Sequence, residues 1–256
     1  MDVEIIIWLI TVITALSVGS FINVLVYRLP QFLSEPHSVL ALCRPRSHCP
    51  DCKTPLRWRD NIPLVSWLIP GGKCFYCQSA ISLRYPVTEA ITAAISFFLA
   101  WLLPPVPELL CALLLCWLLL ALAFIDIEHQ LLPDALTFLL LWSGLLLHVF
   151  AVLPGNLADA VSGAAIGYST LWLLATGYRG LRGHEGLGMG DAKLLAALGA
   201  WLGWQMLPAL LIIAAGGGLF LLLLTKLCFN HDLHRTIPFG PWISLAGFYL
   251  YVKQLV

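Results

Sequence analysis

The feature that most constrains this chain is a series of long apolar runs, which recur along nearly its whole length. Sixty per cent of the residues are hydrophobic and only 11% are charged, so water is not the main solvent for the surface. A membrane-spanning helix needs about 20 mostly apolar residues, and fewer where it ends at an aqueous cleft. We therefore predict an all-α polytopic protein in the lipid bilayer, with eight transmembrane helices at Ile5–Val26, Val87–Leu103, Leu109–Ile125, Ala135–Leu153, Leu157–Gly177, Ala192–Leu207, Ala209–Leu227 and Phe239–Tyr251.

The basic residues predict the orientation of these spans, because short loops rich in Lys and Arg stay in the cytoplasm. Threading eight spans through the bilayer places 13 of the 14 basic residues on one side and only Lys253 on the other. We therefore expect both termini to lie outside. The first apolar run has no preceding Lys or Arg, so we expect it to be retained as a span and not removed as a signal peptide.

The overall charge carries little information, since 14 basic residues balance 14 acidic ones. The net charge therefore does not indicate a nucleic-acid partner, and we expect none. What matters is where the charges fall, which is in a few loops. The largest of these, residues 28–86, is too polar and too rich in Pro and Gly to span a membrane, and we predict a small cytoplasmic insert there.

This insert contains two C-x-x-C pairs, Cys49 with Cys52 and Cys74 with Cys77, separated by 21 residues. Four thiolates fit one tetrahedral zinc ion, and a closed four-sulfur site supplies folding energy to a module with little apolar core. The sequence therefore predicts a structural zinc site at these four cysteines. Two disulfides are the main rival, which a reducing cytoplasm disfavours, and redox chemistry is a third interpretation.

The other candidate ligands near or outside the insert have weaker support. His48 adjoins the first pair and is able to replace one sulfur ligand, although a lone neighbouring His is more often a surface residue. Three further cysteines, Cys111, Cys116 and Cys228, lie in apolar segments, where we interpret them as packing residues. Cys43 has no partner at a metal-binding spacing.

Carboxylates that border membrane spans are candidate functional residues, because charge is costly near lipid. Asp126 follows the third predicted span, and Asp191 precedes the sixth in the string Gly186-Leu-Gly188-Met-Gly190-Asp191. The glycines allow positive φ and close backbone approach, which suits a carboxylate pressed against a peptide. Two carboxylates that share one proton hold a water between them, so the sequence allows an aspartic-protease mechanism.

Simpler roles for these residues stay open. Asp191 is equally suited to cap a helix N-terminus, where it accepts amide hydrogen bonds and faces the positive end of the helix dipole. Asp134, just after Pro133, is the rival to Asp126 as the partner of Asp191, but we interpret it as a cap of the fourth span. Glu128 and His129 are interpreted as solvated loop residues.

The motifs, taken in order, resemble those of the aspartic type IV prepilin peptidases, which are the leader peptidases and N-methyltransferases of pilin and type II secretion systems. The resemblance covers nearly the whole chain. One departure is Pro70-Gly71, where the family usually has a Leu-Arg pair. The matching segments are Gly19–Pro30, Arg44–Cys52, Asp60–Trp67, Gly72–Cys77, Arg84–Glu89, Asp126–Asp134, Gly188–Leu194 and Ile237–Pro241.

The resemblance implies that Asp126 and Asp191 are the catalytic pair of a peptidase in the bacterial inner membrane, with its active site facing the cytoplasm. The implied substrate is a prepilin or pseudopilin, cut between a short basic leader and an apolar helix. The four-Cys insert belongs to members that also methylate the new N-terminus with S-adenosylmethionine. No glycine-rich loop identifies a binding site for that methyl donor, so we assign no residue to it.

We expect three regions: a first transmembrane helix over residues 1–27, the four-Cys insert over 28–86, and a seven-helix membrane domain with the peptidase site over 87–256. The alternative function is a membrane transporter or assembly scaffold with a zinc-binding docking module. A transporter should show an internal repeat or charges at the membrane midplane, whereas the ionisable residues here gather at one face. Two glycine pairs, Gly163 with Gly167 and Gly199 with Gly203, predict close helix packing whether the protein is a peptidase or a transporter or scaffold.

Overall fold

The computed structural model describes residues 2–34, 47–49, 51–104, 107–183, 186–229 and 238–256. Six motif or cysteine positions of the sequence analysis lie outside the described residues: Cys43, Arg44, Pro45, Arg46, Pro50 and Ile237. Within these ranges the secondary structure is helical apart from two isolated β-bridges, so the all-α class is confirmed. The helices are α1 (Asp2–Ser34), α2 (Val65–Leu68), α3 (Arg84–Leu102), α4 (Glu108–His129), α5 (Asp134–Val149), α6 (Leu157–Arg182), α7 (Met189–Leu202), α8 (Leu207–Phe229) and α9 (Gly240–Leu255).

Each predicted span coincides with one helix, but the helices differ in their capacity to cross a bilayer. Five of them, α1, α3, α4, α6 and α8, are long and apolar enough to span a membrane by length and composition. In contrast, α5, α7 and α9 contain 16, 14 and 16 residues, below the length of about 20 that a full span needs. The described helices therefore establish a multi-pass membrane protein, while the count of eight spans stays a prediction.

The chain divides into two compact units, residues 1–105 and 106–256. In the first, α1 packs along α3, and a Cβ on Gly19 would lie 2.8 Å from Cα of Glu89. The amide of Asn23 donates to the carbonyl of Tyr85 at 3.2 Å, and the indole of Trp8 donates to the carbonyl of Ala100 at 3.1 Å. The described part of the predicted insert, which contains Cys49, Cys52, Cys74 and Cys77 and is called the four-Cys module below, belongs to this same unit.

In the second unit, α7 is the central helix and packs against α5, α6 and α9. From Asp191 to Leu202 all of its residues are buried except Lys193. Gly163 of α6 and Gly199 of α7 face each other so closely that a Cβ on either would meet the carbonyl of the other. Close packing at these two glycines is therefore confirmed, as expected when small residues line a helix interface.

The end of α7 differs from the sequence prediction, which continued this segment to Leu207. Gly203 has φ +78°, a conformation that glycine adopts without steric cost, and it ends the helix after Leu202. A 3-10 turn at Trp204–Met206 then leads directly into α8. Gly203 thus forms a turn, where a Cβ would lie 2.9 Å from Gln205 of the same turn but 3.7 Å from Asp159 of α6, so the unusually close helix packing predicted at Gly203 was wrong.

Candidate active site and metal centre

Asp126 lies in the last turn of α4 and is only 6% exposed. The backbone amide of Gly240, at the start of α9, donates a hydrogen bond of 2.9 Å to its Oδ2 atom. A Cβ on Gly240 would lie 2.6 Å from the same oxygen. The absence of a side chain at position 240 therefore lets the backbone hold the Asp126 carboxylate.

Asp191 is the third residue of α7 and is 8% exposed. The N-cap of this helix is Gly188, whose backbone hydrogen-bonds to the Asp191 carboxylate. Asp191 is therefore not the N-cap residue, although its carboxylate hydrogen-bonds back to the backbone of the N-cap residue Gly188, as acidic residues at the third helical position do.

Two of the glycines before Asp191, Gly186 and Gly190, act through close approach, and the expectation of positive φ was wrong. None of Gly186, Gly188 and Gly190, all of which the structure describes, has a positive φ. A Cβ on Gly190 would lie 2.9 Å from Cβ of Leu132, and one on Gly186 would lie 2.5 Å from the Tyr178 ring. These positions exclude larger side chains because neighbouring residues occupy the space.

Leu132 links the surroundings of the two carboxylates. Its side chain packs against Gly190, the residue before Asp191, and lies 3.3 Å from the Cβ position of Gly240, the residue that binds Asp126. The two carboxylates are close enough to interact electrostatically. In the part of the second unit that the structure describes, they are also the only buried acidic residues. The fold thus gathers two buried carboxylates at the ends of α4 and α7.

The ionisable residues Glu128, His129 and Asp134 of this region are exposed, and Lys193 is half-buried. Asp134 is the first residue of α5, Pro133 takes the N-cap position, and Asp134 forms an ion pair with Lys193. The capping role predicted for Asp134 was therefore wrong, because its carboxylate turns toward α7. Glu128 and His129 are exposed, as predicted, and their side chains contact each other at 3.8 Å. Both are the last residues of α4, so they belong to a helix and not to a loop.

Two buried carboxylates that interact with each other cannot both ionise freely, so one tends to hold a proton while the other is charged. Such a pair provides a base that activates a water and an acid that protonates a leaving group. The environment of Asp126 and Asp191 is thus suited to hydrolysis of a peptide bond.

The four-Cys module forms a second candidate site, built from two similar knuckles. In each, the backbone amide after the second cysteine donates to the carbonyl of the first: Lys53 to Cys49 at 2.9 Å and Gln78 to Cys74 at 3.0 Å. Both donors have positive φ, 55° and 59°. Isolated β-bridges, His48 with Pro55 and Lys73 with Ala80, close the two turns.

The residues fit a metal ion. All four sulfur atoms lie within 4.8 Å of one another, and the Cys49 and Cys77 sulfurs are 3.8 Å apart. Sulfurs bound to zinc at about 2.3 Å in a tetrahedron are separated by about 3.8 Å. His48 is not a member of this cluster. The cysteines form no disulfides among the described residues, so the geometry supports a four-sulfur metal site.

Ser79 supports this cluster from the second knuckle. Its hydroxyl lies 3.0 Å from the Cys77 sulfur, and hydrogen bonds from the Ser79 hydroxyl and, to a smaller extent, the Ser79 backbone amide lower the pKa of the Cys77 thiol to about 6. A thiol must lose its proton to bind a metal, so the lowered pKa favours the thiolate, which is the form that binds.

Of the cysteines outside the module, Cys111 and Cys116 are buried, as predicted for packing residues, whereas Cys228 is exposed near the end of α8.

Three supporting residues were missed in the sequence analysis: Leu132, Gly240 and Ser79. Gly240 lies in a matching motif, but nothing in its sequence context indicates that it binds a carboxylate 114 positions away. Ser79 follows Cys77 by two residues, and a hydroxyl so near a metal-binding pair is a signal that could have been used.

Comparison with known proteins identifies the family. The sequence model described as "Bacterial Peptidase A24 N-terminal domain" matches residues 13–103, and the one described as "Type IV leader peptidase family" matches residues 113–224. No solved structure gives a significant match.

Several curated relatives carry the name "Prepilin leader peptidase/N-methyltransferase". The protein of Aeromonas hydrophila is 45% identical over 255 residues, which cover 91% of this chain and 86% of the relative. The proteins of Dickeya chrysanthemi and Pseudomonas aeruginosa are 44% and 42% identical, cover 94% and 93% of this chain, and are themselves covered to 91% and 88%. The resemblance found in the motifs is thus confirmed, and the chain belongs to the type IV leader peptidase family.

Proposed function

We propose that this protein removes the leader from type IV prepilins or type II secretion pseudopilins, and then methylates the new N-terminal residue with S-adenosylmethionine. The observation that carries the proposal is the pair of buried carboxylates, Asp126 and Asp191, at the ends of α4 and α7. Relatives of similar length named prepilin leader peptidase/N-methyltransferase support the substrate class and the second reaction.

In the proposed mechanism, the carboxylate of one Asp accepts a proton from water as the water attacks the scissile carbonyl. The protonated carboxyl of the other Asp donates its proton to the leaving amine. Gly240 keeps Asp126 in place through its amide. Leu132 packs against Gly190, next to Asp191, and against Gly240. We expect these contacts to keep the two acids close together, as a shared water requires.

The orientation is part of the proposal and rests on the basic residues. Because the Lys and Arg side of the membrane is cytoplasmic, the pair of Asp residues and the four-Cys module both face the cytoplasm. The scissile bond of a precursor with a cytoplasmic leader then meets the carboxylates at the membrane boundary. A transporter fits less well, since both acids lie in terminal turns and not in the middle of their helices.

Zinc is the proposed metal of Cys49, Cys52, Cys74 and Cys77, in a structural role. When bound, it would supply folding energy to the module. We assign methyl transfer to the part of the chain that contains this module, residues 28–86 with their flanking helices α1 and α3, whereas both peptidase carboxylates lie in the second unit, residues 106–256.

The test uses purified full-length protein, a prepilin and S-adenosylmethionine, with mass analysis of the product N-terminus. Asp126→Asn and Asp191→Asn should each abolish cleavage while leaving membrane insertion intact. Asp134→Asn is the matched control, since Asp134 is an exposed acid near the same turn, and it should retain much of the activity. Full activity of Asp126→Asn together with loss in Asp134→Asn would contradict the assignment.

A further inference from the structure

Glu89 is the one acidic residue that is buried in the described part of the first unit, with 7% exposure. It lies on α3, which is long and apolar enough to cross a membrane. A carboxylate in such a helix is costly, so its presence calls for a partner and a role. The peptidase mechanism does not use it, since Asp126 and Asp191 both belong to the second unit.

The partners of Glu89 are backbone and hydroxyl groups. The backbone amide of Leu64 donates a hydrogen bond of 2.7 Å to its Oε2 atom, and the Ser20 side chain of α1 also hydrogen-bonds to the carboxylate. One side chain of α3 thus joins the 60–67 segment of the module to the α1 and α3 pair.

The residue that Glu89 holds has a strained backbone. Leu64 has φ +62° and ψ −47°, and the amide of Val65 donates to the carbonyl of Pro63 at 2.7 Å. This is a γ-turn centred on a non-glycine residue with positive φ, a rare and costly conformation. Such strain persists only where surrounding contacts enforce it, and it is concentrated at functional sites.

The strained turn is linked to the metal centre. It leads into α2, where the Trp67 indole donates to the carbonyl of Ile81 at 3.2 Å. A Cβ on Gly72 would lie 2.7 Å from the Trp67 ring, and the amide of Ile81 donates to the carbonyl of Gly72 at 2.7 Å. Gly72 is two residues before Cys74. A continuous series of contacts therefore runs from the second cysteine knuckle through Trp67 and Leu64 to Glu89.

We propose that Glu89 is a positioning residue for methyl transfer, which fixes the four-Cys module on the α1 and α3 pair by holding Leu64 in its strained turn. This rests on the proposed assignment of methyl transfer to the first unit. Glu89 acts through Leu64 and does not itself react with the amine. What it must supply is therefore a hydrogen-bond acceptor, and a neutral amide oxygen meets this need as a carboxylate does.

The test measures cleavage and methylation separately in the full-length, zinc-loaded enzyme. Glu89→Leu removes the acceptor at similar volume and should lower the kcat of methylation at least about tenfold, since small displacements of a site cost that much or more. Cleavage should change less than about twofold, because the carboxylate pair belongs to the other unit. Glu89→Gln should keep methylation within about threefold of the original enzyme, because its amide oxygen accepts the same bond.

A second pair of variants tests the turn without changing Glu89. Leu64→Gly should retain methylation, because glycine adopts φ +62° without cost, whereas Leu64→Val should lower it at least about fivefold. Leu64→Gly should also restore part of the methylation lost in Glu89→Leu, since the turn then needs less support. This pair decides the matter even if Glu89→Leu fails to insert in the membrane.

Four outcomes would overturn the inference: no effect of Glu89→Leu, an equal loss of both reactions, a loss in Glu89→Gln as large as in Glu89→Leu, or equal effects of Leu64→Gly and Leu64→Val. The proposed function fails in a different way. If the unsubstituted enzyme cleaves the precursor but transfers no methyl group, the assignment of methyl transfer is wrong, and the role of Glu89 falls with it.

Discussion

The amide of Gly240 donates a 2.9 Å hydrogen bond to Oδ2 of Asp126, and a Cβ at position 240 would lie 2.6 Å from that same oxygen. A real Cβ cannot approach an oxygen so closely, so any other residue must move either α9 or the carboxylate. The position of Asp126 therefore depends on the absence of a side chain 114 residues away.

Gly240→Ala should for this reason impair cleavage by on the order of 100-fold, because a displacement of about 1 Å at a reacting group has that effect. The measurement is kcat for leader removal by the purified variant. Gly177→Ala is a suitable control, since a Cβ there meets nothing within 4 Å, and it should leave kcat unchanged. Equal activity of Gly240→Ala and the control would show that the amide of Gly240 does not position Asp126.

The contact between Gly163 and Gly199 supports the second carboxylate indirectly, because α7 carries Asp191. Gly163→Ala should force α6 and α7 apart and destabilise the protein by about 1–3 kcal/mol, as overpacking does. Thermal unfolding in detergent measures this as a lower Tm. Gly180→Ala on the same helix has open space around its Cβ and should be neutral or slightly stabilising. An unchanged Tm for Gly163→Ala would mean that the helices adjust without cost.

The close packing at Gly163 and Gly199, the apolar helices and the cluster of four cysteines could all be predicted, because each depends on a local pattern with a direct physical cause. A run of apolar residues or a C-x-x-C pair carries its meaning within a few positions. The bounds of α7 were less accurate, because the residues that end it act through backbone conformation. Apolar character continues past Leu202, while the positive φ of Gly203 ends the helix.

The candidate active site was predictable only in its two carboxylates. Leu132 and Gly240 matter because they meet residues far along the chain, and no spacing rule connects them. The expectation of positive φ at Gly186, Gly188 and Gly190 failed for a related reason. Close neighbours require glycine at Gly186 and Gly190, and the sequence alone does not distinguish a need for space from a need for a special backbone conformation.

Ser79 offers a test of the metal site. The hydrogen bond from its hydroxyl is the largest of the contacts that lower the pKa of the Cys77 thiol to about 6, and at that pKa the group is mostly thiolate at neutral pH, the form that binds a metal. In Ser79→Ala the pKa of Cys77 should rise, and protons should compete with the metal at higher pH than in the unsubstituted protein. Loss of such a supporting hydrogen bond typically weakens metal binding about 10- to 100-fold.

The measurement is zinc content after dialysis at a series of pH values. The unsubstituted protein should contain about one zinc per chain, and its loss should begin at lower pH than in Ser79→Ala. Ser82→Ala is the control, because the Ser82 hydroxyl of the same loop accepts a hydrogen bond from the Arg84 amide. This variant should lose zinc over the same pH range as the unsubstituted protein. No zinc in a folded, reduced sample would refute the four-sulfur site itself.

The last prediction concerns a substrate that is itself a membrane helix. Asp126 lies in the last turn of α4 and Asp191 in the first turn of α7, so both acids occupy helix ends. A precursor whose apolar segment lies in the bilayer presents its scissile bond at one fixed depth. Cleavage should therefore depend on the distance along the precursor between the scissile bond and the apolar segment. Inserting several polar residues between them should move the bond away from the carboxylates and lower the rate by on the order of 100-fold or more.

The control for this prediction inserts the same residues within the leader, on the other side of the scissile bond, which leaves the depth of the bond unchanged. If a soluble peptide without the apolar segment is cleaved as efficiently as the full precursor, placement by the membrane contributes nothing and this account is wrong.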